Sequence, residues 1–153
     1  MLKLIFATNN QHKVEEIQAA IGNKMEVISL EQAGIHIEIP EPYDTLEANA
    51  SEKSLTINRL TGENSFSEDT GLEVTVLYGE PGVKSARYAG EEKSFENNIK
   101  KLLKNLEKQE DRRARFRTVI SLIWERKEYM FEGSCEGTIG VEPIGTTGFG
   151  YDP

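Results

Sequence analysis

"LIFATNNQHKVEEI", residues 4–17, is the stretch whose reading decides the fold. Its apolar beginning, joined to Leu2 and Lys3, predicts a short strand over 2–7. Its end predicts a helix over 11–21, and Thr8, Asn9 and Asn10 form the polar turn between the two. Strand, polar loop, helix N-terminus is a layout that presents backbone N–H groups to an anion. Lys13 stands in the first turn of that helix, where the macrodipole is positive and Asp or Glu is favoured. The opposed charge costs about 0.3–1 kcal/mol. Two readings are open. Lys13 faces a phosphate, which reverses the sign of the penalty, or it is solvated at an exposed helix end.

Outward from this unit, the pattern predicts a strand near 25–28 and extended chain over 35–41, ending at Pro40 and Pro42. "DTLEANASEKSLTINRL" predicts a second helix, with Asp44 and Glu47 as its capping pair. Short strands are expected around Ser65–Ser67 and Leu72–Leu77, with Thr70-Gly71 turning between them. A Gly/Pro-rich loop, "GEPGVKSARYAG", leads to a helix over 94–108. Residues 114–124 and 128–135 read as a hairpin turning at Glu125–Glu128, with Phe116, Thr118, Ile120, Leu122 and Trp124 on one face. The class is α/β, with parallel and antiparallel pairings both expected.

The bulk properties bound what such a chain does. At 153 residues it has one domain's length, and 37% hydrophobic with 29% charged residues suits a globular protein with a core. No run of about 18 apolar residues occurs, and Leu2–Ala7 is too short for a signal segment. The net charge of −8 argues against a nucleic-acid surface but leaves room for one phosphorylated ligand in a local basic pocket. A single cysteine, Cys135, makes no internal disulfide, in keeping with the cytoplasm; alternating with Phe131 and Gly133, it reads as a small core residue. His12 and His36 have no zinc-type spacing.

Three further features do not suit a bland fold. The second helix should bury Leu46, Ala50, Ile57 and Leu60, and Lys53 falls on the same stripe. An inward lysine is expensive unless it snorkels or meets an anion, which Asn49 one turn earlier could share. In "SFSEDTG", Glu68 and Asp69 end a strand, where open α/β sheets bind ligands. Neighbours on a strand point oppositely, so only one of the two acids is expected to face a site. With Glu41, held in extended chain, it would bind Mg2+ through oxygen or deprotonate a water; the alternative is solvated acids in a turn. In "GTTGFGYDP", glycines flank Phe149, with Tyr151 and Asp152 behind; such a loop can lay a ring on a flat ligand, or be a plain turn.

The succession "FATNNQHK", "DTLEANASEK", "SEDTGLEV", "GEPGVKSARYAG" and "EPIGTTGFGYDP" resembles the inosine triphosphate pyrophosphatase family from residue 2 to residue 153. The resemblance implies an elongated mixed sheet flanked by helices, with two lobes and a central cleft, in one domain over 1–153. It implies an enzyme that sanitises the nucleotide pool. Water attacks the α-phosphorus of ITP, dITP or XTP, giving monophosphate and pyrophosphate, with Mg2+ as cofactor. It also implies a cytoplasmic homodimer that needs neither nucleic acid nor membrane.

Carried over by position, Thr8, Asn9, Asn10, Gln11, His12 and Lys13 match the family's phosphate loop, and Asn49 and Lys53 its second helix. Glu41 and Asp69 match metal-binding acids, Asp69 also being the base for the attacking water, and Thr70 matches a substrate contact. Phe149, Gly150, Tyr151 and Asp152 match the loop that holds the base. Three departures stand out. Asn9 replaces a usual Gly, so the loop should take a shape that Asn tolerates, and Glu68 replaces a frequent second Asp. The sequence ends at Pro153, where the family runs on to a lysine and a Ser-His-Arg motif that grip the base. A nucleotide binder without turnover is therefore the alternative reading.

Overall fold

The computed structural model describes residues 2–145 and 150–153. Its strands are β1 (Leu2–Phe6), β2 (Met25–Ile28), β3 (Ser65–Val74), β4 (Pro81–Gly82), β5 (Arg113–Trp124) and β6 (Lys127–Thr138). Its helices are α1 (Gln11–Ile21), α2 (Leu46–Thr61) and α3 (Phe95–Asn105). The strands form one mixed sheet in the order β2-β1-β3-β5-β6, with β4 paired to β3. β1 is parallel to both β2 and β3, whereas β4 is antiparallel to β3. The chain divides into two compact units, one of residues 1–69 and 119–132, the other of residues 70–118 and 133–153.

The first unit is built on β1. Leu4, Ile5, Phe6 and Ala7 are all buried, an unbroken apolar run of the kind a parallel strand needs when both its faces are covered. Leu4 and Phe6 pack with Val14, Val27 and Phe66, and the Phe6 and Phe66 rings stack at 4.3 Å. Ile5 and Ala7 pack with Leu30 and Ile57. α1 thus supplies one apolar layer and α2 the other. β5 shares this double burial: Ile120, Leu122 and Trp124 join the Phe6 cluster, while Val119, Ser121 and Ile123 are more deeply buried. The expected one-sided face was therefore only half of the strand's buried surface.

The second unit packs Leu72, Val74, Tyr88, Leu102, Leu106 and Ala114, with Phe116, Ile139 and Tyr151 against them. Its Gly/Pro-rich loop is ordered by buried polar side chains. The Ser85 hydroxyl accepts from Leu72 N at 2.9 Å and donates to the Gly82 carbonyl at 2.6 Å. The Asn98 amide donates to Ala86 O at 2.9 Å and accepts from Ala89 N at 2.8 Å.

Several expectations are corrected. Thr70-Gly71 is not a turn, because β3 runs without a break from Ser65 to Val74, and Thr75–Leu77 is a turn of 3-10 helix. Gly71 has a different cause: a Cβ there would lie 2.5 Å from the Gly82 carbonyl oxygen, so only glycine admits β4 alongside. The cap of α2 is Thr45, whose hydroxyl accepts from Ala48 N at 3.1 Å, one residue later than Asp44. Leu60, on the same stripe but in the last turn of α2, is 61% exposed. Cys135 is also exposed, as is every residue of β6, the edge strand of the sheet. The hairpin turns tightly at Glu125-Arg126, both at positive φ.

Candidate active site

The site is assembled within the first unit, where β1 stops and β3 does not. The register pairs Ile5 with Ser65 and Phe6 with Phe66, so Glu68 and Asp69 lie past the end of β1 beside the Thr8–Asn10 loop. The loop is shaped by its own side chains. Thr8 Oγ1 accepts from Asn10 N at 3.0 Å, and Asn10 Oδ1 caps α1 by accepting from Lys13 N at 3.4 Å. Asn9 is not at positive φ, so the loop takes a shape that Asn tolerates, as expected. No acid stands in the first turn of α1, where Gln11 and His12 are exposed and Lys13 is half-buried.

Lys13 turns inward and ion-pairs with Glu68. Lys53 arrives from α2, which lies close to the sheet because the residues between them are small. Ser67 donates to the Ala50 carbonyl, Ser65 to the Ser54 carbonyl at 2.9 Å, and the Ser54 and Ser121 hydroxyls meet at 2.7 Å. At that depth Lys53 Nζ donates to the Glu68 carbonyl at 2.8 Å and pairs with Glu41 at 2.8 Å. The inward lysine of the helical stripe therefore does meet anions. Asn49 is not among its partners. Its amide is bonded to Tyr43, accepting from the N–H at 3.0 Å and donating to the carbonyl at 3.2 Å, and so clamps the chain that carries Glu41.

Glu68 and Asp69 are both buried, at 6% and 7% exposure, against the expectation that one would face away. The alternation rule holds for side-chain directions, but lysines approach from helices on both faces of the sheet, so each direction leads to a cation. Glu68, left out of the residues carried over by position, joins the cluster through its ion pair with Lys13. The available signal was its place beside Asp69 at the end of a strand, with a lysine in the first turn of α1 that had no acid of its own. Asp69 Oδ2 is buried and has no hydrogen-bond partner among the described residues. Burial pushes the Asp69 carboxyl up to about 6; Lys53 and Lys13 oppose the rise, while Glu41 and Glu68 add to it. For Lys13, burial acts to lower the pKa, but Glu68, Asp69 and Glu41 prevail and hold it above the usual lysine value.

The donor set suits a hard cation. Glu41, Glu68 and Asp69 offer only oxygen, and a buried carboxylate oxygen is left over. Among the described residues no group of three acids, histidines or cysteines is arranged as a complete metal cage. Mg2+ does not require one, because it commonly takes one or two carboxylates and completes its shell with water and substrate phosphate. The residues therefore fit that ion.

The remaining candidates belong to the second unit. Thr70 shares a hydrogen bond of 2.8 Å with Thr118. Tyr151 packs on the apolar core and donates to the Ser85 carbonyl at 2.6 Å; burial, and then Tyr88, raise its pKa. Gly150 adopts φ +60°, and Asp152 is exposed. Phe149 lies outside the described residues.

A polar loop at the start of a helix, two inward lysines and a buried, partly unsatisfied carboxylate define a protein that handles a polyphosphate at the end of a parallel strand. The chain belongs to the Ham1 family, whose model matches residues 4–153. It is 47% identical over 152 residues to a protein of Flavobacterium johnsoniae named dITP/XTP pyrophosphatase, covering 99% of this chain and 79% of that one. A Porphyromonas gingivalis protein of the same name is 48% identical over 154 residues, covering 100% and 79%. Among solved structures, the Staphylococcus aureus Ham1 protein superposes with a TM-score of 0.86 at 39% identity, over 99% of this chain and 79% of that one. A HAM1 protein from Coxiella burnetii gives 0.89 at 33% identity, over 100% and 80%. Among the described residues no helix is long and apolar enough to cross a membrane.

Proposed function

We propose that this protein is a nucleoside triphosphate pyrophosphatase acting on noncanonical purine nucleotides: ITP, dITP and XTP. The observation that carries this reading is the charged cluster of the first unit, where Lys13 and Lys53 meet Glu68 and Glu41 around a buried Asp69. The names of its Ham1 relatives supply the substrate class.

In this mechanism the phosphate chain is received by the Thr8–Lys13 loop, with Lys13 and Lys53 neutralising its charge. Glu41 and Asp69 are the residues that would hold Mg2+, which polarises the phosphates when bound. Asp69 orients a water and takes its proton as the water oxygen bonds to the α-phosphorus. The bond from the α-phosphorus to the bridging oxygen breaks, and pyrophosphate leaves with that electron pair. Burial above all pushes the Asp69 carboxyl up to about 6, while a bound Mg2+ would favour its ionised form, the form that accepts a proton. Thr70 and the Phe149–Asp152 loop are assigned to substrate and base contact on the family resemblance, which also supports a cytoplasmic homodimer and a single functional domain.

The test is pyrophosphate release from ITP with Mg2+, with ATP as comparison and Asp69→Asn as control. Release from ITP that exceeds release from ATP and disappears in the variant is the expected result. ITP binding without release would overturn the enzyme reading in favour of a nucleotide binder.

A further inference from the structure

We infer that Glu68 is a positioning residue that occupies Lys13 in the free protein and yields it to the incoming phosphate chain, so that it sets polyphosphate affinity through that lysine. This rests on the reading of the cluster as a triphosphate site. Glu68 is given no substrate contact and no proton transfer above and counts only among the oxygen donors of the cluster, yet it is buried and forms an ion pair with the lysine of the phosphate loop. Lys13 stands at the start of a helix with no acid in its first turn. A bare ammonium there would be opposed by the helix dipole, and Glu68 from the neighbouring strand supplies the missing negative charge. It is a built-in stand-in for phosphate.

Two consequences follow from the charges. The same ammonium cannot satisfy Glu68 and a triphosphate fully, so the phosphate must compete for it. The cluster also carries three carboxyl groups against two lysines, so an arriving anion meets a site already supplied with negative charge. Lys13 is the contact best able to exchange, because it is half-buried and reaches Glu68 from the open end of α1. Lys53 is also anchored on the Glu68 backbone carbonyl, which binding need not disturb.

The experiment is calorimetric titration of inorganic tripolyphosphate in EDTA into wild type, Glu68→Gln, Lys13→Ala and the double variant. Glu68→Gln should bind about fivefold to tenfold more tightly than wild type, and that gain should vanish on the Lys13→Ala background. A merely structural role for Glu68 gives the opposite sign, since a disturbed site binds less. Unchanged or weaker binding by a folded Glu68→Gln overturns the proposal while leaving the triphosphate site intact. An equal gain on the Lys13→Ala background assigns the effect to the general field and overturns it too. No binding by either wild type or Glu68→Gln in EDTA overturns the proposal, and no binding by either on repeating the titration with Mg2+ overturns the site reading as well.

Discussion

The two units of this chain bury polar groups in different ways. In the second, Ser85 and Asn98 are buried, and each donates to one backbone group and accepts from another, so that the Gly/Pro-rich loop has a fixed path. In the first, Lys53, Glu68 and Asp69 are buried as ionisable groups, and Asp69 keeps an oxygen without a hydrogen-bond partner among the described residues. A satisfied neutral group lends its free energy to shape. A desolvated acid with an unfilled lone pair costs stability, and such strain persists where a ligand makes use of it. The first unit also contains the shape-giving kind, in the Ser54, Ser65, Ser67 and Ser121 layer under α2. The contrast thus predicts which substitutions cost activity and which cost stability.

The largest effect is expected at Asp69. Asp69→Asn should lower kcat for ITP by about a thousandfold or more, the range associated with losing a general base and a metal ligand together. The fold should survive, because an amide of the same shape removes a desolvated charge. If the variant instead loses its cooperative unfolding transition while residual turnover stays high, Asp69 belongs with the shape-giving groups.

Next is the pH dependence of stability. The folded Asp69 carboxyl lies at about 6, above its ordinary value of 3.8. Below pH 4 it is protonated in both states, and its contribution to the folded state is complete. Between 4 and 6 the unfolded chain ionises first, so stability falls as pH rises, and above 6 the loss is complete at about 3 kcal/mol. Urea unfolding of wild type and Asp69→Asn across pH 4–7 should show this as a divergence between the two curves. Parallel curves would mean that the carboxyl is not desolvated.

In the second unit, Asn98→Ala strands the Ala89 N–H and the Ala86 carbonyl and opens a cavity. It should cost about 2–3 kcal/mol of stability with kcat per folded molecule unchanged. A variant of normal stability with impaired kcat would break the distinction between the units.

The legible part of this molecule was the part governed by local rules. The apolar 2–7 run, the polar turn and the helix after it were readable because one period ends and another begins within a few residues. Lys53 was readable because a helical stripe has a strict spacing. What escaped depended on partners distant in sequence. Gly71 looked like a turn residue, but its cause is Gly82 on a neighbouring strand. Asn49 looked like a ligand-sharing neighbour of Lys53, and its amide is bonded to the Tyr43 backbone, a contact that no local pattern shows. Strand alternation left room for only one of Glu68 and Asp69, and the family match chose Asp69; alternation fixes side-chain directions but says nothing about a sheet whose two faces both carry a lysine-bearing helix. Cys135 took part in an alternation on a strand whose residues are all exposed, so alternation there does not imply burial.

The smallest effect probes whether shape and chemistry separate inside the first unit itself. Thr45→Ala removes the hydroxyl that accepts from Ala48 N, at about 1 kcal/mol for a lost N-cap. The helix it caps carries Lys53, so a fraying N-terminus could in principle reach the site. Two sets of bonds argue that it does not. Asn49 ties the first turn of α2 to Tyr43, and the serine layer fixes the helix on the sheet on either side of Lys53, at Ala50 and at Ser54. The unfolding midpoint should therefore fall while KM for ITP stays the same. A KM that rises with little change in stability would show that the cap governs the depth of Lys53, and that in this unit the groups giving shape and the groups doing chemistry form a single network.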